Sequence, residues 1–92
     1  MPNAMPNAMP NVTIYTTAVC PYCVAAKRLL SARGIAYTEQ DVSRDHDKRA
    51  WLVEVTGRRT VPQIFIGDRA IGGYDELSAL DRTGELAQML AS

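Results

Sequence analysis

Apolar and polar positions along the chain keep two different periods, and the switches between them mark out the secondary structure. Val12 to Thr17 is dense in β-branched and aromatic residues, and Val12, Ile14 and Tyr15 leave no cleanly polar face. That pattern predicts a strand buried in the middle of a sheet. At Pro21 the period changes: Ala25 with Leu29 and Ala26 with Leu30 recur at i, i+4, while Lys27, Arg28 and Arg33 are available for the wet side. Proline suits the first helical position and Gly34 the residue just past the helix end. Ile35 to Val42 predicts a second strand, resting on Tyr37, Thr38 and Val42.

Ser43 or Asp45 is placed to cap a second helix, Asp45 and Asp47 favour its positive end, and Gly57 stops it. Its expected apolar stripe is Trp51, Leu52 and Val55. Val61 to Ile66 predicts a third strand, Gly67-Asp68 a hairpin turn, and Arg69 to Ile71 a short fourth strand antiparallel to the third. After Gly72-Gly73, Tyr74 to Asp81 predicts a third helix and Leu86, Met89 and Leu90 a last short one. An opening strand-helix-strand unit makes its two strands parallel, and the later hairpin adds an antiparallel pair. The expected fold class is therefore α/β: a four-stranded mixed sheet flanked by helices on both faces.

Residues 1–10 repeat Met-Pro-Asn-Ala and carry proline at every fourth position, which forbids regular helix and offers nothing to pack. They are read as a disordered tail, from a duplication at the start site or a cloning artefact, with the folded domain spanning 11–92. A chain of 92 residues holds one such domain. Ten basic residues balance ten acidic ones, so no global field exists to attract nucleic acid or anionic lipid. No apolar run approaches the roughly 20 residues of a membrane-spanning helix. Neither nucleic acid nor membrane is an expected partner, and a monomer is expected.

Only two cysteines are present, Cys20 and Cys23. A secreted domain stapled by disulfides would carry more, so a close pair points to chemistry in a reducing compartment. Met1 to Pro10 has neither the basic nor the apolar segment of an export signal, and the cytoplasm is the expected location. Cys20 stands between a strand and a helix, with Pro21 at the first helical position, so the amides near Tyr22 and Cys23 point toward its sulfur and stabilise its thiolate. Cys23, one turn on and more enclosed, should keep its proton and resolve the mixed disulfide. The bland alternative is a pair of buried structural cysteines. A zinc site needs about four ligands, and beyond the two sulfurs the chain offers only His46, read as a solvated surface residue, so no metal is expected.

Three segments, in this order and spacing, resemble the dithiol glutaredoxins: Tyr15 to Cys23 ending in Cys-Pro-Tyr-Cys, Thr60 to Gln63 followed by Ile-Phe-Ile, and Gly72 to Leu77. The resemblance runs from about Val12 to the C-terminus. It implies a thioredoxin-like fold that reduces protein disulfides and glutathione mixed disulfides, with glutathione as recycling co-substrate and disulfide-containing or glutathionylated proteins as partners. It implies that the Val61-Pro62 bond is cis and faces Cys20, with the backbone of Val61, beside Thr60, pairing with glutathione as a short added strand. Gly73, Tyr74 and Asp75 would hold the γ-glutamyl end, its carboxylate on helix amides and its ammonium on Asp75. Tyr22 would be a rim contact. For the glycine carboxylate the family commonly uses a lysine shortly before the first cysteine. Thr17 stands there instead, leaving Arg49, with Arg58 and Arg59 nearby. Arg58 is read as a solvated charge, and Trp51 and Phe65 as core.

Two other functions fit part of this pattern. A redoxin recycled by thioredoxin reductase would need no glutathione site. A carrier of a [2Fe-2S] cluster ligated by Cys20 and glutathione from two subunits is disfavoured by Pro21 and Cys23.

Overall fold

A computed structural model describes residues 10–91; the expected tail, apart from Pro10, lies outside them. The elements run β1 (Val12–Thr16), α1 (Pro21–Ala32), β2 (Thr38–Asp41), α2 (His46–Thr56), β3 (Gln63–Ile66), β4 (Arg69–Gly72), α3 (Tyr74–Thr83) and α4 (Glu85–Ala91). The sheet order is β2-β1-β3-β4. β1 pairs parallel with β2 and antiparallel with β3, and β3 pairs antiparallel with β4. The mixed sheet and the central place of β1 are those the sequence predicts.

Register decides which face each side chain takes. Ile14 stands opposite Ile64 and Val12 opposite Ile66, and these join Ala26 and Leu30 of α1, Leu77 of α3 and Leu86 and Leu90 of α4 in the larger core cluster. The alternate positions, Tyr15 and Phe65, turn to the other face and form a second cluster with Val42 and Leu52. Each fully buried aliphatic side chain contributes about 1.5–3 kcal/mol, so the stack on Ile14 and Ile64 anchors α1 and α3 side by side. A paired Arg33 and Asp81, with both N···O distances 2.9 Å, ties the end of α1 to α3.

Three expectations need correction. β2 begins at Thr38 rather than Ile35, because the Ile35 amide closes the end of α1 by donating to Leu30 O at 2.9 Å, with Gly34 left-handed at φ 69°. β3 begins at Gln63, so Val61 and Pro62 form the approach to the strand and not the strand itself. On α2 only Leu52 of the predicted stripe is buried, while Trp51 and Val55 are 37% and 47% exposed. Trp51 covers the second cluster from outside, its ring stacked 5.7 Å from Phe65 and tilted against Tyr15 at 5.8 Å. Asp45, rather than Ser43, caps α2, accepting from the Lys48 amide at 2.9 Å.

Candidate active site

The site forms where β1 ends and α1 begins. Cys20 is the N-cap of α1 in extended conformation (φ −154°, ψ 98°), and its side chain takes the place that a serine or aspartate oxygen usually fills. Its sulfur accepts a hydrogen bond from the Cys23 amide at 3.1 Å, and Pro21, which has no N–H, occupies the first turn without leaving a donor unused. Both cysteines are free thiols. Cys20 is half-buried, whereas Cys23 is 2% exposed. Burial, reinforced by the hydrogen bond with Cys20, pushes the Cys23 thiol up to about 12, against the opposing pull of the Thr17 amide and the Lys27 charge.

Across from the cysteines lies the chain before β3. The Val61-Pro62 bond is cis, and the Cys20 thiol donates to the Val61 carbonyl at 3.7 Å. Beside it a cavity of about 250 Å³ is lined by Tyr22, Arg58, Thr60, Val61, Pro62, Gly73, Tyr74, Asp75 and Glu76. The rings of Tyr22 and Tyr74 approach to 6.3 Å and wall one side. A second cavity of about 370 Å³ shares Arg58, Thr60 and Val61 with the first and adds Arg49, Arg59 and the neighbouring turn of α2. The two form a trough whose middle is the backbone of Thr60 and Val61. Arg49 therefore lines the trough from a different element, and Arg58, read from the sequence as a solvated charge, borders both cavities.

The glycines of the third segment serve internal packing. Gly72 has φ 113°, closed to most residues, and a Cβ there would come within 2.6 Å of Glu76 Oε1. Gly73 is extended, and a Cβ on it would lie 3.2 Å from the Pro62 carbonyl. The Gly73 amide is already engaged, donating to Glu76 Oε1 at 2.7 Å. The Tyr74 and Asp75 amides open α3, where a helix has no partner for its first donors.

The Glutaredoxin family profile matches residues 12–71. A glutaredoxin of Pseudomonas aeruginosa is 46% identical over 81 residues, which is 88% of this chain and 96% of that one. The chain belongs to the glutaredoxin family. The solution structure of a Brucella melitensis glutaredoxin superimposes with a TM-score of 0.84 at 45% identity, covering 94% of each chain. A buckwheat glutaredoxin solved as a complex with glutathione superimposes with a TM-score of 0.81 at 34% identity, covering 91% of this chain and 78% of that one. The protein is thus a thiol-disulfide oxidoreductase with the thioredoxin-like fold.

Against the glutaredoxin pattern, Thr17 supplies no cation, and its contribution is the backbone N–H that faces Cys23. Several residues with a part in the site escaped the sequence. Glu76 holds the Gly73 amide and is bridged by Arg58 at 3.2 Å, and together these pull its carboxyl below the usual range. Gln63, 1% exposed, pins the approach to β3 by donating from Nε2 to Thr60 O at 2.8 Å, while its Oε1 is buried without a partner. The signal for Glu76 was present, since an acid three residues after an N-cap is half of a capping box. Gln63 stood inside the Thr60 to Gln63 segment, but its inward bond to Thr60 had no local signal, being one polar residue in an apolar run. Among the described residues no group of three or more His, Cys, Asp and Glu could hold a metal ion, and His46 lies exposed at the start of α2. No helix among them is long and apolar enough to cross a membrane.

Proposed function

We propose that this glutaredoxin uses Cys20 as nucleophile and Cys23 as resolving thiol to reduce protein disulfides and glutathione mixed disulfides, with glutathione bound in the trough along Thr60 and Val61. The observation that carries this is the asymmetry of the sulfurs. One accepts a helix amide and reaches the Val61 carbonyl; the other is enclosed and holds its proton. The Cys20 thiolate attacks one sulfur of the substrate disulfide, a Cys20–S bond forms, and the leaving thiolate takes a proton. Where the substrate is a protein disulfide, Cys23 then gives up its proton and attacks Cys20 Sγ, releasing the second thiol. Two glutathione molecules restore the dithiol and leave as glutathione disulfide.

The trough matches glutathione by parts. The Val61 backbone faces its cysteine, the Tyr74 and Asp75 amides with the Asp75 carboxylate suit the charges of the γ-glutamyl end, and Arg49 with Arg59 suits the glycine carboxylate. The glutathione complex of the buckwheat glutaredoxin supports this assignment. We place the protein in the cytoplasm as a monomer, acting on disulfide-containing and glutathionylated proteins. Titration with glutathione, followed by amide chemical shifts, should perturb Thr60, Val61, Tyr74 and Asp75. Unchanged shifts at these four positions would overturn the glutathione site and leave the fold standing.

A further inference from the structure

The enclosure that keeps Cys23 protonated also makes it a poor nucleophile, because it is the thiolate that attacks. Something near it must favour the anion when resolution begins. Lys27 lies four residues after Cys23 on α1, so the two side chains share one face of the helix. Its side chain stays partly exposed but is tethered: Nζ lies 3.0 Å from Glu39 Oε2 on β2. The same carboxylate oxygen accepts from Thr16 Oγ1 at 2.7 Å, and Thr16, at the end of β1, is 1% exposed. The next residue, Thr17, presents its amide to Cys23. The end of β1 thus contributes a donor to Cys23 through one residue and anchors the counter-ion of Lys27 through its neighbour.

We infer that Lys27, held beside Cys23 by Glu39 and Thr16, is a positioning residue for the resolving step, its fixed positive charge stabilising the Cys23 thiolate as it forms. The inference rests on the roles assigned to Cys20 and Cys23 above. The ionisable groups around Cys23 are Cys20 at the N-cap, Lys27 on α1 and Glu39 on β2, with Tyr37 beside Lys27 and Asp41 beside Glu39. Only Lys27 among them is a cation. In the step itself the Cys23 proton passes to solvent, a bond forms between Cys23 Sγ and Cys20 Sγ, the bond from Cys20 to the substrate sulfur breaks, and the departing substrate thiolate takes up a proton. Lys27 gains and loses nothing. Glu39 limits its effect while preventing the flexible side chain from swinging away.

A raised Cys23 pKa lowers the thiolate fraction tenfold per unit but leaves a stronger nucleophile, so resolution slows by about threefold per unit. The test mixes reduced protein with a disulfide-linked peptide, quenches with acid and follows the Cys20 mixed disulfide by mass. Lys27→Met should lengthen its lifetime by about threefold or more and move the alkaline rise of the resolving rate to higher pH, and Lys27→Arg should restore both. Added to Cys23→Ser, the same Lys27→Met change should leave reduction of a glutathionylated peptide within about twofold, which also shows that the altered protein is folded. An unchanged lifetime in Lys27→Met, or an equal slowing in the Cys23→Ser background, overturns the inference. Loss of deglutathionylation in Cys23→Ser alone would instead overturn the assignment of the two cysteines.

Discussion

The amide of Cys23 points at the sulfur of Cys20 from 3.1 Å away, while the side chain of Cys23 turns inward and is 2% exposed. One residue thus supplies a hydrogen-bond donor to its neighbour's sulfur and buries its own thiol, and the two sulfurs part along the first turn of α1. A cap built from sulfur rather than oxygen would tie helix formation to catalysis, since the group that satisfies the helix end is the proposed nucleophile.

The division predicts unequal mutants. Cys20→Ser should abolish reduction of a glutathionylated peptide, because the other thiol, Cys23, is buried. Cys23→Ser should retain much of that activity and lose most reduction of protein disulfides, which require resolution. Steady-state rates with one substrate of each kind check both, and comparable loss in the two mutants on the glutathionylated peptide would sink the assignment.

Gly72 tests the γ-glutamyl side. Alanine there must hold φ 113° and push its Cβ into Glu76; the backbone conformation alone costs about 1–2 kcal/mol. Displacing Glu76 frees the Gly73 amide and moves the opening of α3. Gly72→Ala should therefore raise KM for the glutathionylated peptide several-fold more than it lowers kcat, and lower the denaturation midpoint. An unchanged KM would show that the start of α3 does not contact the ligand.

At Thr17 a cation can be restored without disturbing the backbone N–H that faces Cys23. Thr17→Lys should lower KM for glutathionylated substrate by up to about fivefold, the range of one partly exposed charge pair, and the gain should shrink as salt is raised. The reverse experiment, Arg49→Gln, should raise KM in the same manner. Kinetics at low and high ionic strength separate these effects from a general change in fold.

The carboxyl of Glu76 is held below its ordinary value first by the Gly73 amide and then by Arg58. A lowered carboxyl contributes stability that is present above its ordinary value of 4.5 and is lost as pH falls through the folded one. Acid titration should accordingly loosen the start of α3 below pH 4.5, seen as faster exchange of the Gly73 amide. In Glu76→Gln the amide oxygen still accepts from Gly73 but the link to pH disappears. A Gly73 exchange rate in Glu76→Gln that still climbs below pH 4.5 as in the parent protein would assign the acid effect to another carboxyl.

Much of this protein is legible in one dimension because local rules and tertiary packing agree. The run Val12 to Thr16, the capping Asp45, the Gly67-Asp68 turn and Gly34 after α1 each obey a short-range preference that the fold retains. Placement of Cys20 at the head of α1 follows from Pro21 and the change of period alone. Where prediction and structure part, a long-range contact has claimed the residue. Ile35 leaves the strand pattern to close α1, and Trp51 stays on the surface because Phe65 and Tyr15 already fill the space beneath it.

The sequence by itself determined the elements, their order, the redox pair and the segments that resemble a glutathione site, since each is written in residues close along the chain. Only the tertiary structure decided what those segments face. It brought Arg49 and Arg58 to one trough, set Glu76 against Gly73, and joined Lys27 of α1 and Thr16 of β1 through Glu39 of β2. These contacts join residues from different elements, and the distance between two such side chains depends on sheet register and helix packing, which no local pattern encodes.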